Sequence, residues 1–214
     1  MDMRRYYANP GEMPLDNIKP DGGFTSIFRT IACIGDSLSS GEFESLTEDG
    51  QRGYHDLFAY SWGQYIARAA GCKVYNFSRG GMTASEYCDS FAASKDFWNP
   101  AYASQAYIVA LGVNDLMGQN QVLGTTADIC SEDCEKNAKT FAGYYGKILQ
   151  KYSAISEKSR LFLMTMPRDC NDNAEQDEKK AAHAALLHAF ANVLPFTYVI
   201  DLYRDAPIYD ARFH

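Results

Sequence analysis

The chain carries two hydrophobic rhythms in alternation. At residues 30–34, 73–77, 105–111, 160–166 and 196–202 there are short runs rich in β-branched and aromatic residues, apolar at most positions rather than at every second one. That pattern suits strands covered on both faces. Between them, at 57–70, 84–93, 132–152 and 174–193, apolar residues recur every three or four positions, which predicts helices. Gly71 follows the first helix as a stop, and Ser131 stands where the third would be capped, with Cys134 rather than an acid at the third position. Residues 1–30 are rich in Pro, Gly, Asn and Asp and have no period, so they predict an extended arm packed on a single domain of residues 31–214. Strand–helix alternation with right-handed crossovers predicts an α/β fold: a three-layer, doubly wound parallel sheet of about five strands in the flavodoxin-like order 2-1-3-4-5. Ligands of such sheets gather at the carboxyl ends of the strands, near the switch point between strands 1 and 3.

Composition narrows the classes of partner. The 214 residues, 46% hydrophobic and 22% charged, can build one sizeable core. A net charge of −7 argues against nucleic acid or an anionic membrane surface. No stretch reaches the roughly 18 apolar residues of a membrane span. Arg4 and Arg5 have no apolar run behind them, so no secretion signal is read and the expected location is cytoplasmic. Cys33, Cys72, Cys88, Cys130, Cys134 and Cys170 are then expected as reduced thiols, with Cys33 a small hydrophobe inside the first strand. Cys130-x3-Cys134 lacks an accompanying ligand pair, and neither metal nor cofactor is expected.

The candidate chemistry sits at strand ends. The run Ile31-Ala32-Cys33-Ile34 leads directly into Gly35-Asp36-Ser37-Leu38. Asn76-Phe77-Ser78-Arg79-Gly80-Gly81-Met82-Thr83 and Gly112-Val113-Asn114-Asp115 lie at the ends of two further predicted strands. Taken singly, Ser37 reads as a helix cap, Gly80-Gly81 as a turn and Asn114-Asp115 as a turn pair. Three such blocks at one sheet edge read as a site.

Over residues 30–202 these blocks resemble those of the SGNH hydrolase superfamily, also called GDSL esterases and lipases. The resemblance implies that Ser37 attacks an acyl ester, and that the Ser37 N–H, the Gly81 N–H and the Asn114 side chain form an oxyanion hole. A tetrahedral intermediate concentrates charge on one oxygen, and each preorganised donor is worth on the order of 3 kcal/mol. Gly80 and Gly81 both fit the second donor, and the spacing to Thr83 favours Gly81.

The family also supplies a histidine after the fifth strand, usually with an aspartate three residues before it. Here His55, His183, His188 and His214 are preceded at that distance by Arg52, Lys180, Ala185 and Ala211. His214, four residues after Asp210, is the one histidine in the expected region, at the very end of the chain. His183 and His188, about 140° apart on a helix, read as helix-surface residues, and His55 falls in the loop after the first block. The expectation is a chain that stops short of the family's histidine loop and final helix, baring apolar surface that favours association.

Residues 40–56 and 167–173 read as substrate loops. With 15 tyrosines and 12 phenylalanines, a sugar-binding or an acyl pocket is within reach. The expected function is a serine ester hydrolase acting through an acyl-serine on a small-molecule ester, its acyl group short and carried by a carbohydrate or a small lipid; a thioester stays open. An acyltransferase and a non-catalytic ligand-binding module are the alternatives. A phosphoryl acceptor at Asp36 lacks the aspartate that would end the third strand, and no Gly-x-Gly-x-x-Gly marks a dinucleotide site.

Overall fold

All five apolar runs become parallel strands of one sheet in the computed structural model, which describes residues 22–210. In chain order the strands are β1 (Thr30–Gly35), β2 (Glu42–Leu46), β3 (Arg52–Asp56), β4 (Lys73–Ser78), β5 (Ala106–Ala110), β6 (Arg160–Met164) and β7 (Thr197–Ile200). The parallel sheet runs β4-β1-β5-β6-β7, which is the expected order 2-1-3-4-5. Gly35 stands opposite both Ser78 and Ala110, so β1, β4 and β5 end level with one another. The arm expected at residues 1–30 falls mostly outside the described residues; its last part holds a single 3-10 turn at Gly23–Ile27.

The helices are α1 (Ser37–Ser40), α2 (Trp62–Ala70), α3 (Ala84–Glu86), α4 (Ala92–Ser94), α5 (Phe141–Ile155), α6 (Ala174–Val193) and α7 (Leu202–Asp205). A π turn at Tyr87–Phe91 joins α3 and α4 into one continuous helix. Helix α6 has the predicted bounds and opens on a reciprocal cap between Asn173 and Gln176.

Three local expectations are corrected. Helix α2 starts at Trp62 rather than at 57, because Ser61 accepts from the Gln64 N–H and takes the cap, behind a 3-10 turn at Phe58–Tyr60. Helix α5 starts at Phe141 rather than at 132. Thr140 caps it, and Asn137 ties the preceding loop to Cys130, Gly143 and Gln150, so Ser131 caps nothing. The stretch 40–56, read as a loop, folds into the antiparallel hairpin β2–β3. Asp49-Gly50 between its strands is the local signal that points to a hairpin.

The two sheet faces are covered unequally. Ala32, Ile34, Phe77, Tyr107, Val109, Leu161 and Leu163 pack into the larger core beneath α3, α4, α5 and α6. On the other face Ile31, Cys33, Val74, Ala106 and Ile108 are buried, with Trp62 and Ile66 of α2 above them. Over β6 and β7 that face thins out: Phe162, Met164 and Ile200 are half-buried, and Tyr198 is 46% exposed. Among the described residues the third layer therefore stands over only part of the sheet.

Candidate active site

At the end of β1 the chain turns straight into α1. Asp36 caps that helix, its carboxylate accepting the Leu38 N–H at 3.2 Å. The side chain is buried, and burial pushes its carboxyl up to about 6. Ser37 is the first residue of α1 and is half-buried; among the described residues its backbone N–H and its hydroxyl make no hydrogen bond.

Beyond β4 the chain stays tied to β1, since the Arg79 N–H donates to the Gly35 carbonyl at 3.3 Å and the Ser78 hydroxyl donates to the Cys33 carbonyl at 2.9 Å. The two glycines that follow are not equivalent. The Gly80 N–H donates to both carboxylate oxygens of Asp56, at 3.1 and 3.2 Å. A Cβ on Gly80 would lie 1.8 Å from Glu42 Oε2, so the hairpin packs against bare backbone. Asp56 also accepts the Ser40 hydroxyl. Gly81 sits at φ 70° with open space around it, and its N–H has no partner among the described residues. Among the described residues the hairpin thus occupies the Gly80 donor and leaves the Gly81 donor free.

The third block leaves β5 through Leu111 and Gly112, which has φ 137°, into a turn at Val113–Gly118. The Asn114 amide donates to the Met82 carbonyl at 3.2 Å, binding this block to the second. Asp115 is fully buried; one oxygen accepts the Ala84 N–H at 2.9 Å and the other has no partner. Burial, aided by the nearby charge of Asp36, pushes the Asp115 carboxyl up to about 6. The turn-pair reading of Asn114-Asp115 does not anticipate this buried contact, which depends on a partner 31 residues earlier.

His183 is not a surface residue. It lies fully buried on α6, its Nε2 donating to the Leu111 carbonyl at 3.2 Å, and a Cβ on Gly112 would come within 2.7 Å of that nitrogen. Burial holds the ring neutral, its value lowered to about 4, and Nδ1 has no partner. His188 pairs with Asp201 at 2.7 Å, and His55 with the Ser45 hydroxyl at 2.7 Å. His214 lies outside the described residues. Among those residues no histidine is bonded to Ser37.

Two cavities flank α1. An open cleft of about 470 Å³ is lined by Ser37, Leu38, Glu42, Phe43, Tyr60 and Trp62. Leu38 and Trp62 also line a second cavity of about 400 Å³, together with Asp36, Ser39, Val113, Met164, Met166 and Tyr209. Tyr209 reaches this sheet edge because it pairs with the loop after β6, its N–H donating to the Arg168 carbonyl at 2.9 Å. Among the described residues no three His, Cys, Asp or Glu side chains are grouped to hold a metal ion, and no helix is long and apolar enough to cross a membrane. The six cysteines are free thiols, and Cys33 is buried within β1.

Residues 33–213 match the GDSL-like lipase/acylhydrolase family. No curated protein matches the sequence. Among solved structures, a family two carbohydrate esterase from Clostridium thermocellum in complex with cellohexaose superposes with a TM-score of 0.58 at 14% identity. The match covers 85% of this chain and 55% of that enzyme, so the chain spans little more than half its length. A protein from Lactobacillus plantarum superposes with a TM-score of 0.55 at 20% identity, over 85% of this chain and 80% of its own. A G-D-S-L family protein from Desulfitobacterium hafniense DCB-2 gives 0.51 at 15% identity, over 86% and 85%. At these identities the likeness is one of fold.

Proposed function

The chain belongs to the GDSL-like lipase/acylhydrolase family, and on that premise we propose that it is a serine ester hydrolase with Ser37 as its nucleophile. The Ser37 hydroxyl attacks the ester carbonyl and gives its proton to a base. The negative charge that develops on the carbonyl oxygen is met by the Ser37 N–H, the Gly81 N–H and the Asn114 amide. The tetrahedral intermediate collapses, the alcohol departs with the proton, and an acyl-serine remains. Water then adds to the acyl group, releasing the acid and restoring Ser37.

One observation carries this reading. Asp56 takes the Gly80 N–H while Met82 holds the Asn114 amide through one of its hydrogens, so Gly81 and the second Asn114 hydrogen are left as donors beside the end of β1. The base is assigned outside the described residues, where His214 is the chain's one histidine. The substrate is an ester of a short acyl group with a carbohydrate or a small lipid; the fold shared with a carbohydrate esterase supports the carbohydrate end of that range.

The test is hydrolysis of p-nitrophenyl acetate by the chain and by its Ser37→Ala variant. Turnover that depends on Ser37 is expected. Equal rates would remove Ser37 as nucleophile and favour the second reading, a ligand-binding module, which rests on the absence of a described histidine bonded to Ser37.

A further inference from the structure

We propose that the hairpin cleft beside Ser37 receives the alcohol half of the ester, and that it selects an uncharged ring alcohol of the sugar type over one carrying phosphates. The proposal deepens the reading of Ser37 as nucleophile and rests on it.

An ester bound at Ser37 has two halves that must leave the reacting carbon in different directions. The second cavity is walled by Val113, Met164 and Met166 and suits the apolar acyl half. The open cleft has a different character. Tyr60 is 81% exposed, Leu38 68%, Phe43 48% and Leu57 41%, and all four line the cleft with Trp62 and the nucleophile. Isolated exposed apolar residues are ordinary, but a group of them around one reactive side chain is not. Flat aromatic faces offer a platform for the C–H face of a sugar ring, while the Tyr60 hydroxyl and the Glu42 carboxylate offer polar contacts to its hydroxyls.

The charge on the hairpin sets the selectivity. Residues 42–56 carry Glu42, Glu44, Glu48, Asp49 and Asp56 against a single Arg52, and that arginine is already paired with Glu44 at 2.9 Å. Asp56 is bonded to a backbone N–H and a hydroxyl, and among the described residues no cation compensates its charge. A leaving group with phosphates, such as coenzyme A or a sugar phosphate, would enter against this field. A neutral sugar carries no charge for this field to repel, and its hydroxyls can donate to the Glu42 carboxylate. Field effects of this kind change rates by about tenfold or more and weaken as salt rises.

The experiment compares kcat/KM for three acetyl donors: a monoacetylated methyl glucoside, ethyl acetate and acetyl-coenzyme A. The glucoside is expected to exceed ethyl acetate by about tenfold, the worth of one good ring contact, and acetyl-coenzyme A to fall below the glucoside by more than that. Tyr60→Ala should collapse the glucoside-to-ethyl ratio towards one. Added salt should raise the acetyl-coenzyme A rate relative to the glucoside rate. Acetyl-coenzyme A as the best donor, or equal losses on all three in Tyr60→Ala, would overturn the proposal. If no donor shows Ser37-dependent turnover, the hydrolase reading fails instead. The cleft is then judged by binding alone, with methyl glucoside titrated against the fluorescence of Trp62 and Trp62→Phe as the control. Binding that weakens about tenfold in Tyr60→Ala supports the cleft, and the absence of any Trp62-dependent change overturns it.

Discussion

Replacing Asp115 by Asn should make this protein's stability less sensitive to pH, and the size of the change follows from the site. Asp115 is fully buried, and burial pushes its carboxyl from an ordinary 3.8 up to about 6. The folded protein therefore holds that proton more tightly than the unfolded chain does. The stability this group contributes is complete below 3.8 and is lost as pH rises through about 6. A difference of roughly 2 units corresponds to about 3 kcal/mol. Asparagine has the same shape, and its carbonyl can still accept the Ala84 N–H that Asp115 accepts at 2.9 Å. Its amide N–H₂ takes the place of an oxygen that already lacks a partner, so at about pH 4 the variant should lie within roughly 1 kcal/mol of the parent. At about pH 7.5 it should gain about 3 kcal/mol relative to that low-pH difference. Urea unfolding of both proteins at the two pH values measures the change directly. Apart from Asp36, whose charge couples to Asp115, the other carboxylates titrate over the same range in both proteins and cancel in the comparison. A difference between variant and parent that is the same at both pH values would refute the claim that Asp115 is held against its own ionisation.

Two substitutions probe the candidate oxyanion donors. Asn114→Ala should lower kcat on p-nitrophenyl acetate by roughly 10² to 10³, with a much smaller change in KM; unchanged turnover would remove Asn114 from the site. Asp56→Ala releases the Gly80 N–H from its 3.1 and 3.2 Å bonds and lets the Gly80-Gly81 turn relax. Because Asp56 is exposed, steady-state activity beside a thermal melt should show kcat falling about tenfold with little loss of melting temperature. A large drop in melting temperature with normal kcat would make Asp56 a structural clasp only.

The parts legible in the sequence are those in which local pattern and global fold agree. Apolar strands covered on both faces have a strong signature, and five of them in alternation with helices leave few topologies open, so the sheet order follows. The level ends of β1, β4 and β5 then bring Ser37, Gly81 and Asn114 to one edge. What the sequence hides is whatever depends on a distant partner. Nothing near Gly80 announces that Asp56, 24 residues earlier, will take its N–H. Nothing near Asp115 announces that its carboxylate will accept the Ala84 N–H at the start of α3, 31 residues earlier. His183 is a different case, because the helical period itself separates it from His188. Residues five apart on a helix point about 140° away from each other, so on a helix covered along one side they cannot both be assigned to the same environment. His183 falls in register with Leu186, Leu187 and Phe190, at steps of three, four and seven, and that stripe faces the core. His188 falls outside it, is only half-buried and meets Asp201. The periodicity that built α6 therefore already contained the buried histidine under Leu111 and Gly112, and with it a reason for Gly112: any side chain there would press on the ring that holds the turn carrying Asn114.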